Sequence, residues 1–267
     1  MSSSFMARYE DGSIYGFNRP TVLRFTPPAP AVDLQADTGY CVTLSTGQLL
    51  CDEGNFRRSP QLVAALSNVI ATAVGSRHLC ALKRDGTVWC WGHNESGQTG
   101  FPLESSDVCP GEQRFHPLYG YIYTSYYCVR QPRQVAGLTD VVEVSVGWEN
   151  TCARKRDGTV WCWGANDSPF RPDSGQGVIG DGLPNTERCP SSPWTPADQT
   201  PGSRTCRRLP SRVAGLTGVT SITVGTLYAC AIRAPEEVWC WGARDFAGLG
   251  PTTTPVQIPI PDTARDE

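Results

Sequence analysis

Apolar residues in this chain occur in short runs, and no stretch keeps a helical period for long. Glycines and Asp-Gly pairs separate the runs, which favours short β-strands over helices. Side chains alternate along a strand, so Trp161 and Trp163 share one face while Cys162 points to the other. The same arrangement recurs at Trp89/Trp91 and at Trp239/Trp241. We interpret these six tryptophans as core residues of an all-β protein.

One pattern of strands and turns occurs several times. The segment CALKRDGTVWCWGHN at 80–94 recurs as CARKRDGTVWCWGAN at 152–166 and, with more changes, as CAIRAPEEVWCWGAR at 230–244. CVTLSTGQLLCDEGN at 41–55 is a more distant copy, and DGSIYGFN at 11–18 matches only the second half of the unit. Tandem repetition of this kind is typical of propellers and solenoids.

The repeat has a period near 45 residues. Three copies are preceded by Pro-x-x-Val and a β-branched run that ends in glycine, at 60–75, 132–147 and 210–225. The prolines that open these segments and Pro255 are 72, 78 and 45 residues apart, so two units carry insertions. Several short strands in such a unit predict a propeller blade, which is a small antiparallel sheet that buries both faces against its neighbours.

The cysteines occur in pairs at close spacing. In a hairpin with the three-residue loop Arg156-Asp157-Gly158, residues 155 and 159 pair first, and counting outward places Cys152 opposite Cys162. Opposed residues on paired strands lie close enough for a disulfide. The loop at 234–236 has no glycine, so we expect a different turn there. The twelve cysteines predict six disulfides: Cys41–Cys51, Cys80–Cys90, Cys109–Cys128, Cys152–Cys162, Cys189–Cys206 and Cys230–Cys240.

Charge and composition exclude several classes of function. The chain has 23 basic and 26 acidic residues, so it has no basic field for a nucleic-acid partner. The longest apolar stretch, 62–74, is too short for a membrane span. The three histidines are scattered, and we expect neither a metal site nor a cofactor. Because the motifs of common catalytic sites are missing, we predict a protein that is not an enzyme and has no small-molecule substrate.

Paired cysteines are typical of an oxidising compartment. We therefore expect an extracytoplasmic location, whether secreted, periplasmic or at the cell surface. The start MSSSFMARYEDG has neither the basic nor the apolar region of a signal peptide, so we expect an export signal upstream of a truncated start.

The segment GSRHLCALKRDGTVWCWGHNESGQTG at 75–100 resembles the repeat of the regulator of chromosome condensation family, whose members are typically seven-bladed β-propellers. The resemblance covers residues 30–258 apart from the insertions. It implies a β-propeller of about four blades plus a half, a partial or truncated ring. The cysteines suggest the secreted bacterial kind, described as similar to an α-tubulin suppressor. Guanine nucleotide exchange, the activity of the family's best-known member, depends on features beyond the repeat and is not expected here.

The repeats divide the chain into six parts. These are a partial blade and linker at 1–29, a short blade at 30–59, blades with insertions at 60–131 and 132–209, a blade at 210–254, and the start of a further repeat or a disordered tail at 255–267.

The two insertions are the least repetitive parts and the candidate sites of function. The first, CPGEQRFHPLYGYIYTSYYC at 109–128, is rich in tyrosine, which supplies rigid contact area in binding loops. Its alternation fits an extra strand folded onto its own blade equally well. The second, at 189–206, is rich in proline and serine and predicts an irregular closed loop, whose tryptophan and the following Arg207-Arg208 are a possible contact patch. Candidate protein-binding residues are Phe115, His116, Tyr119, Tyr121, Tyr123, Tyr126, Tyr127 and Trp194.

These observations predict a non-enzymatic scaffold that binds a protein partner, of unknown identity, through rim loops and the Tyr-rich insertion. Two alternatives stay open. One is a structural arc of a larger surface protein. The other is a secreted hydrolase inhibitor, because propellers of this repeat class include a β-lactamase inhibitory protein.

Overall fold

The computed structural model describes residues 5–18, 21–37, 39–52, 59–116, 120–167, 177–184, 187–189, 204–234, 236–242 and 251–259. These residues form antiparallel strands and one short 3-10 helix at Leu103–Ser105. Within them, no helix is long and apolar enough to cross a membrane. The strands are β1 (Phe5–Arg8), β2 (Ile14–Asn18), β3 (Thr21–Phe25), β4 (Ala31–Ala36), β5 (Tyr40–Leu44), β6 (Leu49–Asp52), β7 (Gln61–Leu62), β8 (Val69–Val74), β9 (His78–Lys83), β10 (Val88–His93), β11 (Asp107–His116), β12 (Gly120–Gln134), β13 (Val141–Val146), β14 (Asn150–Lys155), β15 (Val160–Ala165), β16 (Arg188–Cys189), β17 (Arg204–Arg212), β18 (Val219–Val224), β19 (Tyr228–Arg233), β20 (Glu237–Gly242) and β21 (Thr252–Ile258).

The strands group into five sheets that follow one another along the chain. A three-stranded sheet, β1 to β3, precedes four blades: blade 1 (β4–β7), blade 2 (β8–β12), blade 3 (β13–β17) and blade 4 (β18–β21). The first strand of each blade contacts the first strand of the next, β4 against β8, β8 against β13 and β13 against β18. The fold is therefore an all-β partial propeller of four blades and a smaller sheet, as the sequence predicts.

The central hairpin of each blade is set by its turn. Gly86 and Gly158 have φ values of 77° and 76°, a left-handed conformation that glycine adopts without a steric cost. Cys152 pairs directly with Cys162, as counting outward from the turn predicts. In the last copy Glu236 occupies the position of this glycine and has the same left-handed conformation, with a φ of 77°. The backbone at this position is therefore the same, although the sequence predicted a different turn.

Six disulfides close the hairpins and the insertions. Four join opposed residues of the central hairpins with Cα atoms 4.1–4.2 Å apart: Cys41–Cys51, Cys80–Cys90, Cys152–Cys162 and Cys230–Cys240. Cys109–Cys128 and Cys189–Cys206 close the two insertions, with Cα atoms 5.9 and 6.0 Å apart. These are the six pairs expected from the spacing. Each disulfide closes a short loop and stabilises the folded state by roughly 2–3 kcal/mol, because it restricts the unfolded chain.

The outer strand of each blade comes from the start of the next sequence repeat. Pro132, Pro210 and Pro255 lie in β12, β17 and β21. Each of these strands pairs with the third strand of the same blade, β10, β15 or β20. Residues 132–134, 210–212 and 252–258 therefore belong to the preceding sheet, and the segment around Pro255 completes blade 4. Proline has no N–H to donate, which is harmless on an outer strand and discourages pairing with another chain.

The hydrophobic core lies between blades. Trp91, Trp163 and Trp241, the second tryptophan of each Trp-Cys-Trp, are buried in three successive clusters of apolar side chains. The first tryptophans are half-buried and pack against the same clusters. Blades 2 and 3 thus each contribute to two of these interfaces, because both faces of their sheets are covered.

Candidate functional site

Both insertions leave the propeller at the same rim. They lie between the third and fourth strands, β10 and β12 in blade 2 and β15 and β17 in blade 3. His93 at the end of β10 is opposite Cys128, and Ala165, the equivalent residue of β15, is opposite Cys206. The insertions therefore emerge from equivalent positions on adjacent blades. We call this edge the insertion rim. It also carries Asp37 and Gly39 and the turns between first and second strands at 75–77, 147–149 and 225–227.

The Tyr-rich insertion is a β-hairpin that extends the outer strand of blade 2. Strands β11 and β12 pair from Asp107 and Cys128 to His116 and Gly120, with an irregularity after Pro110. Of the two readings of the sequence, the extra strand is thus present, and a strand does not prevent a binding role. The backbone places Phe115 opposite Tyr121 and Gln113 opposite Tyr123. The side chains at 111–124 lie outside the described part, as do Tyr119 and Trp194 entirely.

Two neighbouring tyrosines at the base of this hairpin face opposite ways. The ring of Tyr126 stacks on the ring of His93, with centroids 3.7 Å apart and planes 2° from parallel. Tyr127 is directly opposite Val108, and these side chains are 39% and 59% exposed. At the base of the hairpin, the side chains of Val108 and Tyr127 therefore face solvent, whereas the ring of Tyr126 packs against the propeller.

A buried ion pair joins blades 2 and 3 at the insertion rim. The Arg77 guanidinium donates to the Glu149 carboxylate at 2.7 Å, and both side chains are largely buried. The same guanidinium lies over the Trp148 ring at 5.2 Å, and Ser96 donates to the second oxygen of Glu149 at 3.4 Å. Because breaking such a pair leaves an uncompensated buried charge, these contacts fix the turns at this interface.

A hydrogen-bond chain runs beside the ion pair. His78 Nε2 is 2.6 Å from Thr151 Oγ1, and Thr151 donates to the Gln98 carbonyl, which also accepts from Trp163 Nε1. Burial, and next the charge of His93, lowers the pKa of His78 from 6.5 to about 3. Burial likewise lowers the pKa of His93 to about 4. Both rings are neutral at physiological pH and serve as packed, hydrogen-bonding groups.

The other two interfaces between blades lack parts of this series of hydrogen bonds. Between blades 3 and 4, Asn150 and Ala229 replace the histidine and the threonine, and no hydrogen-bond partner for either amide atom of Asn150 is found in the described part of the chain. Trp241 Nε1 donates to the Val178 carbonyl, as Trp163 Nε1 donates to the Gln98 carbonyl in the interface between blades 2 and 3. Between blades 1 and 2 the equivalent residues are Gly39 and Leu79, and a cavity of about 180 Å³ lies there.

The second insertion is anchored by buried polar contacts. Arg207 donates to Asp181 at 2.6 Å and to the carbonyls of Leu183 and Pro184. Arg207 is buried, so the expected contact patch is wrong for this residue, because its charge is already neutralised inside the fold. Arg208 is half-buried and lies 3.6 Å from Glu187.

Two kinds of reactive group are not found among the described residues. All described cysteines are in disulfides, so none of them is a thiol nucleophile. In the described ranges, no three His, Cys, Asp or Glu side chains are grouped so that they could hold a metal ion. The rim carries two insertions on adjacent blades, and each is closed by a disulfide.

Comparison with known proteins identifies the repeats. The family model described as "Regulator of chromosome condensation (RCC1) repeat" matches residues 69–98 and 141–168, and a second model of the same description matches residues 85–154. Among curated proteins, the chain is 24% identical over 205 residues to Protein pim1 of Schizosaccharomyces pombe, covering 76% of this chain and 32% of that protein. It is 29% identical over 236 residues to the secretion-regulating guanine nucleotide exchange factor of Mus musculus, covering 83% and 44%. The chain thus spans less than half the length of these two relatives.

Solved structures agree on the fold. The yeast RCC1 protein Prp20, in a structure with Kap60, superposes with a TM-score of 0.65 at 17% identity, over 98% of this chain and 60% of that one. Human WBSCR16 superposes with a TM-score of 0.64 at 17% identity, over 94% and 64%. The repeat matches show that residues 69–168 carry repeats of the regulator of chromosome condensation type, and the solved structures show that the whole chain is similar in fold to proteins built from them.

Proposed function

We propose that this chain is a non-enzymatic scaffold that holds a partner protein at its insertion rim. The observation that carries the proposal is the placement of two disulfide-closed insertions on adjacent blades at one rim, opposite His93 and Ala165. A projection that is already closed loses little conformational freedom on binding, which favours affinity. Repetition elsewhere on the propeller serves packing, whereas these two segments interrupt it.

The exposed pair Val108 and Tyr127 is the described surface best suited to a partner. Tyrosine and apolar side chains that are exposed together on a rigid strand supply contact area at a low entropic cost. The strand beneath them is held by the Cys109–Cys128 disulfide and by the bond from Arg130 to the Val108 carbonyl at 2.8 Å. The binding residues Phe115, His116, Tyr119, Tyr121, Tyr123 and Trp194 stay predictions that extend this surface.

The relatives support a role in protein binding. One solved structure holds yeast RCC1 bound by Kap60, and another concerns the binding of Prp20p to Gsp1p and histones. For this chain we likewise propose protein binding, which we place at the insertion rim, and no particular partner. We propose further that it acts in an oxidising, extracytoplasmic compartment, since the six disulfides would not persist in a reducing one.

Cross-linking of the oxidised protein in a secreted and cell-surface fraction, followed by mass spectrometry, would identify partners and the residues that touch them. The affinity of the purified partner is then measured for the parent, for Val108→Ser/Tyr127→Ser and for the control Leu62→Ser/Ile232→Ser. The control residues are 51% and 47% exposed and lie away from the insertion rim. We expect the rim variant to bind at least about ten times more weakly, a loss of about 1.4 kcal/mol, and the control to bind as the parent does. Equal binding by all three proteins would refute the proposal.

The two alternatives predict different results. A secreted hydrolase inhibitor would lower the activity of a purified β-lactamase in a titration with this protein. A structural arc would give cross-links only along blade faces and outer strands, with none in the insertions.

A further inference from the structure

We infer that the cavity between blades 1 and 2 is an anchor pocket for one aromatic side chain of the bound protein, an inference that rests on the proposed function. The cavity opens at the insertion rim. It is lined by the turn residues Gly39, Gly75, Ser76 and Arg77, by Val74 and Leu79, and by Gly92, His93 and Tyr126.

Two repeat positions differ between this interface and the next one. Two residues before the first hairpin cysteine stand His78 in blade 2 and Gly39 in blade 1. In the interface between blades 2 and 3, the imidazole of His78 is fully buried and bonded to Thr151. In the interface between blades 1 and 2, Gly39 supplies no side chain, and Leu79 stands where Thr151 stands in the next blade. The fold therefore accepts a ring at this position of an interface, and among the described residues the position equivalent to His78 carries no side chain.

The size and the walls of the cavity suit an aromatic ring. Its volume is about 180 Å³, and a dry engineered cavity of about 150 Å³ in another protein holds benzene. The side chains of Val74 and Leu79 and the stacked rings of His93 and Tyr126 form the apolar part. The Ser76 hydroxyl, which donates to Asp37 at 3.0 Å, adds a polar edge. Rings with a polar substituent, as in tyrosine, match both parts.

The pocket and the proposed contact surface lie on opposite faces of one strand, β12. Tyr126, which forms one wall, is the chain neighbour of Tyr127, whose exposed side chain pairs with Val108 on the other face of the same strand. A partner that covers Val108 and Tyr127 and also fills the pocket therefore wraps around the base of this hairpin. Aromatic side chains seated in pockets at the centre of an interface carry much of its affinity.

The test uses p-cresol, the side-chain analogue of tyrosine, and the full oxidised chain. Ligand-observed NMR titration is expected to give a Kd on the order of 1 mM for the parent, as befits a ligand of this size. Gly39→His is designed to fill the pocket with the ring that the next interface contains. Leu79→Phe replaces a residue that lines the pocket by a larger one and is designed to fill it in that way. Both are expected to weaken p-cresol binding at least about tenfold, whereas the exposed control Ile232→Ser binds as the parent does.

Thermal unfolding and a count of free thiols decide which filled variants are folded, and one folded variant suffices. Tyr126→Ala, which removes a wall from the outside, is expected to weaken p-cresol binding even if neither filled variant folds. The inference is wrong if the parent does not bind p-cresol, or if the folded variants bind it as the parent does. It is also wrong if a partner that needs Val108 and Tyr127 binds Gly39→His unchanged. Because the p-cresol assay needs no partner, failure of the proposed function would appear separately, as loss of the rim-specific cross-links.

Discussion

Acid is expected to destabilise the interface between blades 2 and 3 through His78. The ring is buried, bonded to Thr151, and its pKa is lowered to about 3 from an ordinary value of 6.5. A histidine with a lowered folded pKa stabilises the fold fully above the unfolded value of 6.5. As the pH falls below 6.5, the unfolded chain takes up the proton first, so stability is lost progressively until the folded pKa near 3 is reached.

The magnitude follows from the difference between the two pKa values. Well inside this window each pH unit costs about 1.4 kcal/mol, so the loss from pH 6.5, where the unfolded ring is already half protonated, to pH 4.5 is about 2.3 kcal/mol for His78 alone. His93, whose pKa is lowered to about 4, acts in the same direction. The turn carboxylates Asp85 and Asp157, with lowered pKa values, matter only at lower pH because aspartate titrates near 4 when unfolded.

The assay compares urea unfolding of the parent and His78→Gln at pH 7.0, 5.5 and 4.5. Glutamine keeps a polar group near Thr151 but has no proton to gain. We expect His78→Gln to be less stable than the parent at pH 7.0 and its stability to fall less steeply with acid, by about 1.4 kcal/mol per unit. Parallel pH profiles for the two proteins would refute the assignment of acid sensitivity to this ring.

Three further predictions concern stability and use the midpoint of urea unfolding. Ala229→Ser is expected to raise stability by about 1 kcal/mol, because the new hydroxyl can bond to the Asn150 amide, as Thr151 bonds to the equivalent histidine; a fall would show that the site has no room. Gly147→Ala is expected to cost about 3 kcal/mol, since the added carbon would overlap the Gly225 carbonyl oxygen, whereas Gly137→Ala meets no atom within 4 Å and should cost about 1 kcal/mol. Equal losses would contradict the steric argument. Reduction with dithiothreitol in urea should lower the stability of the refolded chain by several kcal/mol, as the four hairpin loops alone predict; an unchanged midpoint after confirmed reduction would show that the unfolded chain is constrained in another way.

The hairpins could be predicted because their determinants are local. The turn at Arg156-Asp157-Gly158 fixes the register, and the register places Cys152 opposite Cys162. Pairing of the outer strands is not local in the same way. Nothing in a periodic sequence marks where a sheet begins, so Pro255 reads as the opening of a unit although its strand completes blade 4.

The site could be predicted only in part. The insertions stand out in the sequence because they interrupt the repeat, but the sequence does not say that both leave by the same rim. The burial of Arg207 depends on Asp181, which is 26 residues earlier in the chain, and no spacing rule links them. The cavity had a signal, the glycine at 39 where a later copy has histidine, but its meaning required the structure of the interface that contains the ring.

The exchange of outer strands between repeats has a consequence for how such chains change in evolution. If one sequence repeat is duplicated, the new copy gives its opening segment to the blade before it and receives an outer strand from the repeat after it. Every sheet stays complete, and the proline of each outer strand stays at the perimeter. The number of blades can therefore grow or shrink by whole repeats without the redesign of any sheet, and an insertion between the third and outer strands of any blade enters at this same rim.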